Sequence, residues 1–419
     1  MNKTEEFKKG KLARKQNPVD LSTGTVKERD IVSLINKIEH PKDQKLIALK
    51  RKKMKESLYN YLRGTAQLHA YDLAAGQSSN VILQCAGDAH IQNFEGYLYS
   101  HETLCFDITD FDETYTAPFE WDLKRFALSI AIAGRDNKIS KSVCSDIIIN
   151  SMTEYRNWIM ENYDASFMNN WYKAVVMPID CKYKPLKNFK FEENVIHAMI
   201  DDIGNGEYRI KDEENKLCHI ENEQEKKDLQ VFIEHYGESL SADGKHVFNK
   251  MKLMDVVYKT SGVGSMGLKK YMALFKVYKD HFIVLEIKEE RRSALEIARN
   301  EHKTKNNGER IFSAQRILRT TYDLFAGFGT MHNGKHFYVR RLLNTKLGID
   351  VEKLSKRSFN IFAEKCGKVL ALYHLKTIDP AFLAGYVHKA KSLEKDITKY
   401  AEVYADQMEK DHEVFCKNF

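Results

Sequence analysis

The chain has 419 residues, of which 43% are apolar and 30% charged, and a net charge of +7. That balance fits a soluble globular protein of about two to three domains or lobes, and the modest charge admits anionic ligands without requiring nucleic acid. No apolar run approaches the roughly 18 residues that cross a bilayer, and the opening Met1-Asn2-Lys3-Thr4-Glu5-Glu6 lacks the apolar core of a secretory signal. The seven Cys are odd in number and form no CxxC pair. Disulfides and structural zinc are therefore not expected, and a reducing cytoplasm is the expected setting.

Residues 1–56 are polar and rich in Lys. The run 45–55 holds five Lys and one Arg, which reads as a solvated helix face rather than a nucleic-acid or membrane patch. Apolar and aromatic residues recur at helical spacing over 58–73. Arg63 in this segment can contact phosphate or pair with a carboxylate. A short apolar strand, 81–85, then runs into a Gly87-Asp88 turn, and Asn93 follows Asp88 by five positions. Cys85 reads as a buried strand thiol. A second apolar run, 104–108, ends in an acidic cluster of Asp107, Asp110, Asp112 and Glu113. Such turns at strand ends are where sites sit. Side-chain oxygens at this density suit a hard cation such as Mg2+, though acidic clusters after strands also serve as solvated turns.

A helix is expected from about residue 122, with Leu123, Phe126, Ala127, Ile130 and Ala131 on one apolar face. Asp122 stands at its N-terminal end, where an acid is favourable whatever the function. A further helix is expected over 141–161. Residues 162–250 read as helices joined by exposed loops. The character changes at about residue 255 to strand, Gly-rich turn, strand, turn and strand. Gly262, Gly264 and Gly267, with Ser265 between them, spell GxGxxG. No helix follows, which disfavours a dinucleotide-binding unit. The loop instead joins two antiparallel strands, and Lys288 lies near the end of the third. A plain hairpin with a Gly bulge and a surface Lys would look the same. A helix over 308–322 carries Glu309 and Gln315. A strand follows at 337–341. An amphipathic helix over 359–375 places Phe362, Cys366, Val369, Leu370 and Tyr373 on one face.

Gly87-Asp88-Ala89-His90-Ile91-Gln92-Asn93 resembles the catalytic loop of the aminoglycoside-phosphotransferase and choline-kinase branch of the protein-kinase superfamily. Asp110-Phe111-Asp112 is similar to its metal loop, and Pro118 with Trp121-Asp122-Leu123 to the turn and helix start that follow. The stretch also resembles the signature of a bacterial family of unknown function, domain of unknown function 2252, from Arg63-Gly64 to Tyr404-Ala405-Asp406-Gln407. The implied fold is α+β, a two-lobed protein-kinase-like fold. The parts stand in the wrong order, since the catalytic loop precedes the Gly-rich loop, so a circular permutation is expected. The division implied is an N-terminal helical segment 1–80, a catalytic and metal-loop part 81–250, an antiparallel nucleotide lobe 251–345 and completing helices 346–419.

The resemblance implies a Mg2+-dependent phosphotransferase that uses ATP or another nucleotide triphosphate and a small-molecule hydroxyl acceptor. Asp88 would accept the acceptor's proton. Asn93 and Asp110 would hold Mg2+, with Asp107 and Asp112 as candidate further ligands. Lys288 would hold nucleotide phosphates, backbone groups of Gly262–Gly267 would cover them, and Glu309, with Gln315 as a rival, would partner Lys288. His90 would orient the loop or touch the acceptor, unless it is a core or surface imidazole. Three residues depart from the pattern. Ala86 replaces a His, Asp112 replaces a Gly, and Glu286 stands where a small residue is usual, which puts ATP as donor in question. A nucleotide-binding pseudokinase and a metal-dependent phosphohydrolase are the alternatives. No nucleic acid or membrane partner is expected.

Overall fold

Alternation along two central strands sets the architecture. In Lys270–Tyr278, Tyr271, Ala273 and Phe275 face one way, while Met272 and Leu274 face the other. In His281–Glu290, Leu285 and Ile287 join the first face and Phe282 and Val284 the second. Both faces are covered. Helix Glu223–Tyr236 lays Leu229, Phe232 and Ile233 on the first. Helix Glu192–Met199 and the hairpin Ile200–Gly204/Glu207–Ile210 cover the second through Ile196, Ile200 and Ile210. The computed structural model describes residues 2–23, 29–39, 44–98, 104–175, 192–214, 216–260, 267–342, 346–347, 350–388 and 391–419.

The sheet is antiparallel and six-stranded. Its order is Gly327–Thr330, His336–Arg341, His281–Glu290, Lys270–Tyr278, Lys252–Lys259 and Leu217–His219. The strands expected after about residue 255 are present with their alternation. The reading of 162–250 as helices and loops needs correction, because this region supplies a hairpin, an edge strand and a covering helix to the sheet. Its strands are only three to five residues long, too short for a period of two to stand out.

A second, mostly helical core joins segments from both ends of the chain. Helix Lys356–Thr377 packs along Lys141–Asn162, and Lys391–Asn418 packs on Glu120–Asp136. Glu120–Asp136 is buried nearly all round, so its sequence is apolar or small at most positions. Two small antiparallel pairings emerge from this core: Ile82–Cys85 with Tyr115–Pro118, and Phe94–Leu98 with Leu104–Ile108. Helices Ile31–Ile38, Gln44–Glu56, Leu58–Gly64 and Ala66–Ala75 close one side. The 58–73 helix is thus two helices, broken at Thr65, whose hydroxyl donates to the Tyr61 carbonyl at 2.8 Å.

Candidate functional site

A cleft of about 200 Å³ lies where the helical core meets the sheet. Asp88, His90, Asn93, Asp110, Asp112 and Lys288 all line it, although Lys288 is 176 residues from Asp112. All six are residues that the sequence singles out. Gly262, Gly264 and Ser265 lie outside the described residues. Gly267 is described and has a φ of +96°, in the region that favours glycine.

The Gly87-Asp88 turn is held by its neighbours on both sides. Gly87 has a φ of +93°, and a Cβ there would come within 1.9 Å of the Glu113 carbonyl oxygen. Only glycine permits that approach. Asp122 accepts from the backbone N–H groups of Ala86 at 2.7 Å and Gly87 at 2.9 Å. The Asp88 carbonyl accepts from the Asn93 side-chain amide at 2.7 Å and from the His90 N–H at 2.8 Å. Arg125 Nε donates to Asp88 Oδ1 at 2.7 Å, and its Nη2 ties the Leu62 carbonyl at 3.0 Å. Burial alone would raise the Asp88 carboxyl, but Arg125 outweighs it and holds the group below its ordinary value. Among the described residues, the ion-pair neighbour of Oδ2 is His90 Nε2, at 3.8 Å. His90 is neutral at pH 7. Burial takes its imidazole down to about 4, and Tyr59 Oη lies 3.3 Å from Nδ1.

The acidic loop is pinned as firmly. Thr114 donates to the Cys85 carbonyl at 2.6 Å, and Ser293 to the Glu113 carbonyl at 2.7 Å. Arg310 donates to the carbonyls of Thr114 at 2.5 Å and Asp112 at 2.8 Å. Asp110 then faces the cleft with its side chain 47% exposed. Lys288 reaches across from the sheet to Asp112, with Asp110 at 3.6 Å and Glu290 at 3.9 Å. Burial opposes the Lys288 ammonium, but the carboxylates around it prevail and raise its pKa. Burial and the neighbouring Asp110 push the Asp112 carboxyl up against the pull of Lys288.

Two expectations are corrected. Asp107 does not line the cleft. It is buried and accepts from the Tyr373 hydroxyl, with Arg319 Nε at 3.7 Å. Alternation along Leu104–Ile108 turns it toward helix Lys356–Thr377. Glu309 does not pair with Lys288. It is exposed in the first turn of helix Asn307–Leu318, where Asn306 caps its N–H at 3.1 Å. The next residue, Arg310, turns inward instead. Gln315 is also committed elsewhere, since its Oε1 accepts from Tyr338 Oη at 2.7 Å.

Glu286 shares the cleft-side face with Lys288, as the two-residue spacing requires. Opposite it on the next strand is Arg340. Arg340 Nε donates to Glu286 at 2.9 Å and its Nη1 to the Thr109 carbonyl at 3.2 Å, so the pair ties the sheet to the acidic loop. Lys259 Nζ donates to Glu286 at 3.0 Å, and Lys270 is at 3.9 Å. Burial alone would raise the Glu286 carboxyl, but Arg340 and the two lysines hold it well below its ordinary value.

The donor set fits Mg2+. The Asn93 amide is oriented through its nitrogen and, among the described residues, its oxygen has no partner, and Asp110 offers a half-exposed carboxylate in the same cleft. Among the described residues no three His, Cys, Asp or Glu side chains form a metal cage. Mg2+ needs none, since it keeps waters and binds through one or two protein oxygens plus phosphate.

A family model described as "Uncharacterized protein conserved in bacteria (DUF2252)" matches residues 42–418. The chain belongs to this family. No curated protein and no solved structure matches it. Among the described residues no helix is long and apolar enough to cross a membrane.

Proposed function

We propose that the protein is a Mg2+-dependent phosphotransferase of circularly permuted, protein-kinase-like architecture, working in the cytoplasm and moving a nucleotide γ-phosphate to a small-molecule hydroxyl. The observation that carries this reading is the convergence of Asp88, Asn93, Asp110 and Lys288 on one cleft from segments far apart in sequence. A lone acidic turn or a lone hairpin lysine would not need the other.

Each residue has a role that its surroundings support. Asp88 is ionised, with Oδ1 fixed by Arg125 and Oδ2 left to accept a proton from the acceptor hydroxyl. Asn93 and Asp110 would hold Mg2+, which when bound neutralises charge on the transferring phosphoryl group. Lys288 would exchange its carboxylates for nucleotide phosphate oxygens, acting as a point charge. Glu286, neutralised by three cations, belongs to the frame of the cleft and so weighs less against ATP than its position alone implies. Arg125, Asp122 and Arg310 position the two loops.

Turnover tests the reading. The protein is given ATP and Mg2+ with a panel of hydroxyl compounds, and ADP release is followed. Wild type should turn over with at least one acceptor. Asp88→Asn should keep nucleotide binding and lose turnover by about 10²-fold or more. Equal turnover in Asp88→Asn would overturn the assignment of the proton acceptor.

A further inference from the structure

The cleft carries more positive charge than its carboxylates account for. Lys288, Arg291 and Arg340 each have a carboxylate within 4 Å, at Asp112, Glu113 and Glu286. Lys50 and Arg63 line the same cleft without one among the described residues. Lys50 is only 6% exposed. A buried ammonium with no carboxylate within 4 Å among the described residues is costly, and such perturbed groups in a cleft mark functional sites. Burial, and next the Arg291 guanidinium, bring its pKa down to about 8 against the weaker pull of Glu39 and Glu113.

Both residues come from the N-terminal helices, and the one that carries Arg63 packs on the Asp88 turn. Helix Leu58–Gly64, which carries Arg63, also carries Tyr59, whose hydroxyl lies 3.3 Å from His90 Nδ1 and accepts from the Gln92 N–H at 3.3 Å. The same helix gives its Leu62 carbonyl to Arg125, the partner of Asp88. Helix Gln44–Glu56, with Lys50, closes against it where Met54 meets Gly64. Lys288 and Lys270 stand on the sheet. Arg63 therefore stands on the side of the proton acceptor, and Lys50, within electrostatic reach of Arg291 and Glu113, stands where that side meets the acidic loop.

We propose that Arg63 and Lys50 form an anion subsite for the acceptor, and that the acceptor is a hydroxyl compound already bearing a phosphate monoester. Two cations match the nearly two negative charges of such a group at neutral pH, and a guanidinium can bind it through paired hydrogen bonds. A carboxylate would leave one cation unmatched. The inference rests on the phosphotransferase reading for its acceptor and on the two helices for its anion.

Inorganic phosphate is the probe. It is titrated calorimetrically into the full chain, alone and with Mg2+ and ADP present. Wild type is expected to bind in both settings. Arg63→Gln and Lys50→Met should each weaken binding at least about tenfold, whereas Arg63→Lys should recover part of it. The two losses must come with an unchanged cooperative melting transition. Phosphate binding that survives in Arg63→Gln and Lys50→Met overturns the proposal, as does a wild type that binds none. Loss of phosphate binding when Mg2+ and ADP are added also overturns it, because the cations would then serve the donor. Failure of the nucleotide to bind, with phosphate still dependent on Arg63 and Lys50, removes the phosphotransferase reading and upholds the anion subsite.

Discussion

Lys50→Met should make the protein more stable. Methionine keeps the unbranched stem and removes the charge. The gap between an ordinary 10.5 and about 8 corresponds to about 3 kcal/mol, at 1.36 kcal/mol for each pH unit. At pH 7 the amine is charged in both folded and unfolded chains, so the whole penalty is present. As pH rises from about 8 to 10.5, the folded state gives up its proton first and the penalty fades. The stabilisation should therefore be about 1–3 kcal/mol at pH 7 and approach zero near pH 10. Urea unfolding followed by circular dichroism at both pH values measures it. A destabilised variant at pH 7, or a gap that does not shrink by pH 10, would refute the claim that the burial of Lys50 outweighs the carboxylates around it. The same variant should bind phosphate worse, as expected of a group retained for a ligand.

Asp122→Ala leaves the buried N–H groups of Ala86 and Gly87 without their acceptor, at a cost of about 2–4 kcal/mol in chemical denaturation. Because that carboxylate also sets the Asp88 turn, turnover should fall more than nucleotide binding, and equal losses would argue against a positioning role. Glu286→Gln leaves Arg340 and Lys259 without their anion, and about 3–5 kcal/mol of stability should be lost. A variant as stable as wild type would show that Glu286 is not part of the frame. His90 has its pKa lowered from 6.5 to about 4 by burial. It therefore costs nothing above pH 6.5, and stability falls as the unfolded chain takes up the proton between pH 6.5 and 4. His90→Gln should flatten that part of an acid-unfolding profile, by about 3 kcal/mol at its foot. An unchanged profile would place the acid lability elsewhere.

What could be read from the sequence was local. Gly87, Asp88, Asn93, Asp110 and Asp112 occupy two tight loops at strand ends, where spacing alone announces a site. Lys288 was legible because alternation along a long strand fixes its face. Its meeting with Asp112 depends on long-range packing that no periodicity reports. The same limit hid Arg125, Arg310 and Arg340, each an ordinary helix or strand residue until folding brings it to a loop. Glu309 and Arg310 show the difficulty most clearly. They are adjacent and both charged, and only the phase of the helix against the sheet decides which faces inward. Asp107 failed for a related reason, since its neighbours in sequence serve the cleft while alternation gives it to the core. Lys50 read as part of a solvated lysine run, because four other Lys surround it and burial of one member leaves no mark on composition.

The central claim is that the acidic loop and the sheet lysine form one nucleotide site. Calorimetric titration of ATP with and without Mg2+ into wild type, Lys288→Ala and Asp110→Ala tests it most directly. Mg2+-dependent binding in wild type, weakened at least about tenfold in each variant, is the result expected when one phosphate–metal cluster uses both groups. Well-folded wild type that binds neither ATP nor GTP, or variants that bind as wild type does, would contradict it.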